Sequence, residues 1–275
     1  MINMGGLTLE TKQPESIRNK RRPIGVLSSI TVNFFHLRNP WVSACWSAFF
    51  PGFGFIIMGS YVKGFLLVGW EFLINSQAHI NLAIMYSFQG KFDLAREVLD
   101  VRWTLLYLAV WSFGIWGSYA LTIDINKLAI LGNREDSTMV PVSIGALDIS
   151  FLDKRQPWVA GILSVFSPGL GHLYTHRIPT SFVLLVLTIG TVYFSHILQG
   201  IQYSAMGDFS LAKAVIDPQW LLFIPSIYGF AIYDCYVNTV EYNKLFEQEQ
   251  ARFLRDNYQN PRFRSRLIVT ANQED

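Results

Sequence analysis

The feature that most constrains this chain is an internal duplication. Arg38-Asn39-Pro40-Trp41-Val42 recurs 117 positions later as Arg155-Gln156-Pro157-Trp158-Val159. The same register, without a gap, carries Phe49, Pro51, Gly52 and Gly54 onto Phe166, Pro168, Gly169 and Gly171. It carries His79 onto His196, Asp100 onto Asp217, Trp103 onto Trp220, and Asn126-Lys127-Leu128 onto Asn243-Lys244-Leu245. Roughly a third of the positions from Arg38 to Leu128 match their partners, a level that chance does not produce at one fixed offset. The chain is therefore expected to fold as two tandem copies of one unit.

What kind of unit follows from composition. Hydrophobic residues make up 51% of the 275 and charged residues 15%, against about 25% charged in an ordinary soluble domain. Mean hydropathy is +0.28. These values argue against a disordered chain and against a water-soluble globule. A net charge of +2 gives no sign of nucleic acid as a partner, and two cysteines build no disulfide framework. The expected fold is all-α, a polytopic helical membrane protein whose first partner is the lipid bilayer.

Each copy holds three hydrophobic segments. The first, Trp41 to Met58 (Trp158 to Thr175), is broken by Pro-Gly; the second runs about Gly64 to Phe88 (Ile178 to Tyr203); the third runs Trp103 to Ile123 (Trp220 to Val240). The last two are long enough to cross a bilayer as helices. If the broken segment also crosses, the chain has six spans and inverted repeats. If it dips in and returns, the chain has four spans and parallel repeats. Basic residues divide 16 to 6 between the two sides in the first case and 18 to 4 in the second. The positive-inside rule favours the second, with both termini cytoplasmic in the cell membrane. Each repeat is read as two spans plus one broken, shallow, re-entrant helix.

The organisation is then a basic cytosolic N-terminal segment (1–37), repeat 1 (38–128), a water-exposed linker (129–154) with a short extended stretch around Val140 to Ile144, repeat 2 (155–245), and a basic tail (246–275). The apolar run Ile24 to Phe35 is too short to span and is followed by His36-Leu37-Arg38 rather than a small-residue cleavage site. It is read as an interfacial segment, not a secretory signal.

Several residues invite a chemical reading. Glu71 lies about seven residues into its span; an acid at that depth is costly and marks a binding candidate. Asn75 shares its helical face and Asn81 follows, so the alternative is a polar seam joining helices. His79 and His196 match across the copies and form a candidate proton-sensitive pair. Phe92, Ala95 and Leu99 in one copy, and Phe209, Ala212 and Ile216 in the other, recur at helical spacing as an amphipathic outer helix with a partner-binding face. Asp100 and Asp217 are read as helix N-caps. His172 and His176 are four apart, but no further ligand pattern accompanies them and no metal or cofactor is implied; they read as polar residues at the cytosolic interface. Asp234 reads as a side chain reaching to the cytosolic edge near Lys244, and Cys45 and Cys235 as passive small residues. Arg262, Arg264 and Arg266 in the tail are candidates for anionic lipid.

The second copy holds Ser167-Pro168-Gly169-Leu170-Gly171-His172-Leu173-Tyr174 and, later, Ile232-Tyr233-Asp234-Cys235-Tyr236; the first holds Phe50-Pro51-Gly52-Phe53-Gly54-Phe55 and Ile115-Trp116-Gly117-Ser118-Tyr119. This order resembles the TM-two domain family of small bacterial membrane proteins. The first copy departs from the pattern at Phe55 and Gly117. The resemblance implies an integral membrane protein of a family with no common assigned chemistry.

No phosphate-cradling loop, nucleophile motif or paired-carboxylate signature accompanies these features. The expected function is a non-enzymatic scaffold or accessory subunit for another membrane or envelope component. The alternatives are a small-molecule or lipid transporter with a polar site between the repeats near Glu71, and an interfacial membrane enzyme using His172, His176 and Arg177.

Overall fold

The computed structural model describes residues 24–135, 142–144 and 149–259, and these are predominantly helical. A β-hairpin opens the described chain, β1 (Gly25–Leu27) pairing antiparallel with β2 (Val32–Phe34). Then come α1 (Pro40–Phe49), α2 (Phe53–Ile57), α3 (Tyr61–Ala78), α4 (Ile80–Phe88), α5 (Phe92–Val98) and α6 (Val101–Arg134). A second hairpin follows, β3 (Val142–Ile144) with β4 (Ile149–Phe151). After it come α7 (Pro157–Phe166), α8 (Leu170–Tyr174), α9 (Ile178–Ser195), α10 (Ile197–Ala205), α11 (Phe209–Val215), α12 (Pro218–Leu221) and α13 (Phe223–Tyr258). Every element from β1 to α5 has a partner of the same length 117 residues on. The correspondence thus begins at the hairpins, ahead of Arg38.

The local signals explain the shared bounds. Pro40 and Pro157 open α1 and α7 at a position where a missing N–H costs nothing. Asp100 and Asp217 accept hydrogen bonds from the backbone N–H groups of Arg102 and Gln219 at 2.9 and 2.8 Å, capping α6 and α12. At the Pro-Gly breaks, Gly52 and Gly169 take φ of 103° and 106°, which an L side chain adopts only with strain. A Cβ there would also collide with the backbone of α3 or α9, at Gly64 or Ser181.

The break sends the chain back to the end it came from. The backbone of Arg38, before α1, exchanges two hydrogen bonds with the Asn126 side chain (2.9 and 2.8 Å), and the next copy repeats this between Arg155 and Asn243 (2.9 and 2.6 Å). The other end of the segment, at the start of α3, returns to the same hairpin: the Tyr61 hydroxyl donates to the Asn33 side chain at 3.0 Å. Ten-residue α1 is only about 15 Å long. Equivalent ends of the two copies also lie together, since the Ile178 N–H at the start of α9 bonds the Ile30 carbonyl in the first hairpin.

Among the described residues, three helical runs are long and apolar enough to cross a membrane: Val101–Arg134, Ile178–Ser195 and Pro218–Tyr258. Helix α3 has the length of α9, but Lys63, Glu71, Asn75 and Gln77 make it less apolar.

The main core sits between the copies. Phe50, Phe53, Ile56 and Val68 of the first pack against Leu184, Phe223, Ile227 and Phe230 of the second. Phe53 stacks on Phe230 with ring centroids 4.0 Å apart. A smaller core takes in part of the segment 24–35. Ile24 and Val32 of the first hairpin are buried against Leu152, Tyr242 and Leu245, so these apolar side chains cover the middle of α13. The second-span reading is corrected: it is two helices, broken at His79 and at His196, where φ is 55° and 53°.

Candidate functional site

Two clusters of buried polar side chains join the copies, one near each end. The first forms where α3 breaks into α4. The Asn75 amide donates to Glu71 at 2.8 Å and to the Asn81 side chain at 3.2 Å. Gln219, at the start of α12 in the other copy, donates to the Asn75 side chain at 2.9 Å and accepts from the Leu82 N–H at 2.9 Å. Asn81 in turn donates to the Gln219 carbonyl at 2.9 Å. All four side chains are buried. The candidates Glu71, Asn75 and Asn81 are therefore brought together, and Gln219 closes them off. The helix break is what makes this geometry: left-handed His79 lets α4 restart and turns Asn81 inward beside Asn75.

The matched histidines are not part of that cluster. His79 and His196 are both exposed, each at the break in its own copy. His196 borders an apolar surface groove with Ile189, Val192, Tyr193 and Leu198.

The proposed partner faces need revision. In α5, Phe92 is 61% exposed while Ala95 is 6% exposed; in α11, Phe209 is 65% exposed and Ala212 is 4% exposed. The alanines pack inward against α4 and α10, with Leu99 and Ile216 partly covered. The residues named from helical spacing thus belong to two faces, and only the phenylalanines stand outward. Arg262, Arg264 and Arg266 lie outside the described residues.

The second cluster was not anticipated. Asp234 and His172 are not exposed polar side chains: both are buried within the protein. The carboxylate of Asp234 accepts from His172 Nε2 at 3.0 Å, from Arg177 Nη1, and from the Asn238 amide at 2.6 Å. With a carboxylate on Nε2, that nitrogen carries the imidazole proton. Asn238 passes the connection on, its Oδ1 accepting from Arg38 Nη2 of the first copy at 2.9 Å. Arg177 also donates to the Ile56 carbonyl at 3.3 Å. His176 sits beside this cluster in left-handed backbone, φ 57°. The available signal was that both departures of the first copy, Phe55 and Gly117, fall at the partners of His172 and Asp234.

Against this cluster lies a cavity of about 240 Å3 bordered by Asn33, Arg38, Met58, Gly59, Arg177 and Asn238. A second, of about 180 Å3, shares Arg38 and Ile57 and reaches His36, Tyr233 and Glu241. Burial, followed by the charges of Arg38, Lys244 and Arg177, lowers the His36 imidazole to about 3. Burial also lowers Arg38, to about 10; Asp234 opposes that shift and Arg177 adds to it.

Among the described residues, no group of three or more His, Cys, Asp or Glu side chains stands close enough to hold a metal ion. The chain matches no protein-family model, no curated protein and no solved structure.

Proposed function

We propose that the chain is a non-enzymatic integral membrane protein that holds another membrane or envelope protein at the end carrying α5 and α11. In this reading α3, α6, α9 and the α12–α13 run cross the cell membrane. The hairpins α1–α2 and α7–α8 enter and leave on the cytoplasmic side, where both termini lie. Support comes from the shared end of each broken segment, from the helix lengths and from the 18-to-4 division of basic residues. The arrangement agrees with the TM-two resemblance.

One observation carries the scaffold reading. Both copies place an amphipathic helix at the same end, turn its alanine into the protein and leave its phenylalanine, Phe92 or Phe209, standing out. Exposed aromatic side chains at matched sites suit an apolar partner surface. Asn75, Asn81 and Gln219, by contrast, are engaged with one another across the copies. Glu71 accepts from Asn75 on its own helix, and it is Asn75 that Gln219 of the other copy holds.

The test is crosslinking and affinity purification from native membranes, comparing the parent with Phe92→Ser/Phe209→Ser. A stoichiometric protein captured by the parent and lost from the variant, at unchanged thermal stability, is the expected result. Capture of the same protein by both, or of none by either, overturns the reading; in the second case the phenylalanines are lipid-interface anchors.

A further inference from the structure

The geometry points to an anion site in the 240 Å3 cavity between the copies, taking a phosphate group through Arg38 and Arg177. Four observations support it. First, charge does not balance. The cluster holds two guanidinium groups and one carboxylate, Asp234, to which the imidazole and the Asn238 amide also donate. A further acid, Glu241 in the adjoining cavity, takes the ammonium of Lys244 at 2.6 Å.

Second, Arg38 is under-used. Among the described residues its side chain has one hydrogen bond, to the neutral amide oxygen of Asn238. A guanidinium presents five donors in a planar fork suited to oxyanions. Third, the backbone of Arg38 is held by both Asn126 bonds, so the fork is aimed rather than trailing in solvent. Fourth, the polar border also includes the Asn33 amide, which can donate to a phosphate oxygen, while the Asn238 amide is committed to Asp234. At about 240 Å3 the space is smaller than a drug-sized ligand needs. It suits a small oxyanion or the phosphate of a headgroup entering from the cytoplasmic interface.

Both sources share one chemistry, and one experiment separates them. The full chain is purified and its thermal unfolding followed in two settings. In neutral detergent, inorganic phosphate is titrated against chloride at matched ionic strength. In nanodiscs, phosphatidylcholine alone is compared with phosphatidylcholine containing phosphatidic acid. A ligand that binds only the folded state raises the midpoint with concentration.

A rise in either setting that is lost in Arg38→Gln supports the site: a rise with phosphate assigns a soluble anion, and a rise only with phosphatidic acid assigns a lipid headgroup. The expected loss in Arg38→Gln is about tenfold or more in apparent affinity, the usual scale for one charged hydrogen bond. If Arg38→Gln does not fold, Met58→Trp serves instead, filling the cavity without changing its charge, and the rise should again be lost. No rise in either setting overturns the proposal. So does a rise that survives both variants, which places the anion elsewhere, for instance on the tail arginines.

Discussion

The two copies solve one packing problem in two ways. In the first, the buried Phe55 ring lies over Gly117; in the second, the equivalent positions are His172 and Asp234, joined by a hydrogen bond of 3.0 Å. A Cβ at Gly117 would stand 2.9 Å from Phe55 Cζ, so the large ring and the missing side chain are one device. The polar pair instead draws in Arg177, whose counterpart is Ser60, and Asn238, whose counterpart is Leu121. At the other end the roles reverse. Glu71, Asn75 and Asn81 of the first copy face Gln219, whereas the second copy has Thr188, Val192 and Leu198. A duplicated unit can therefore keep one backbone while each copy takes its polar groups to a different end, where they bond across to the other.

Substitutions can break this comparison. The largest effect is expected from Asp234→Ala, which leaves Arg177 and His172 buried without their carboxylate. A loss of about 3–5 kcal/mol is the scale for removing one partner of a buried ion pair, read as a fall in unfolding midpoint in detergent. The sharper version is the triple change His172→Phe/Arg177→Ser/Asp234→Gly, which writes the first copy's pattern into the second. It should be less destabilising than Asp234→Gly alone, because the contacting residues are coupled; equal or greater damage would mean the two positions are not equivalent solutions.

Next in size is Gly117→Val. It crowds Phe55 and should cost about 1–3 kcal/mol by overpacking, with Phe55→Ala/Gly117→Val recovering part of the loss. Gln219→Ala leaves Asn75 and the Leu82 N–H short of a partner and should cost about 1–3 kcal/mol. The smallest effect is expected at the shared clamp, where Asn126→Ala and Asn243→Ala should cost about 1 kcal/mol each. Here the copies should behave alike, and a large inequality would count against their common geometry.

Much of the architecture was legible because it is written twice. Pro51-Gly52 and Pro168-Gly169 announce a bend, and Asp100 and Asp217 announce helix starts, through rules that act within a few residues. The hairpins were harder to read. Their strands are three residues long, and within them Phe34 and Phe151 are the one identical pair at the repeat register. The breaks at His79 and His196 were hidden because the hydrophobic run continues through them, and histidine is no regular marker of left-handed backbone. The second polar cluster depends on contacts between residues far apart, 62 positions for His172 and Asp234. Spacing along the chain does not report such contacts. The Glu71 group was readable as a polar face of one helix, but its closure by Gln219 from the other copy was not.

The account rests on equivalent ends of the two copies lying on one side of the membrane. Single cysteines placed at Lys91 and Lys213, both exposed, in a chain lacking Cys45 and Cys235, test it with a membrane-impermeant thiol reagent on intact cells. Both positions are expected to label from outside without permeabilisation. Labelling of one in intact cells, and of the other only after the membrane is opened, would contradict the parallel arrangement.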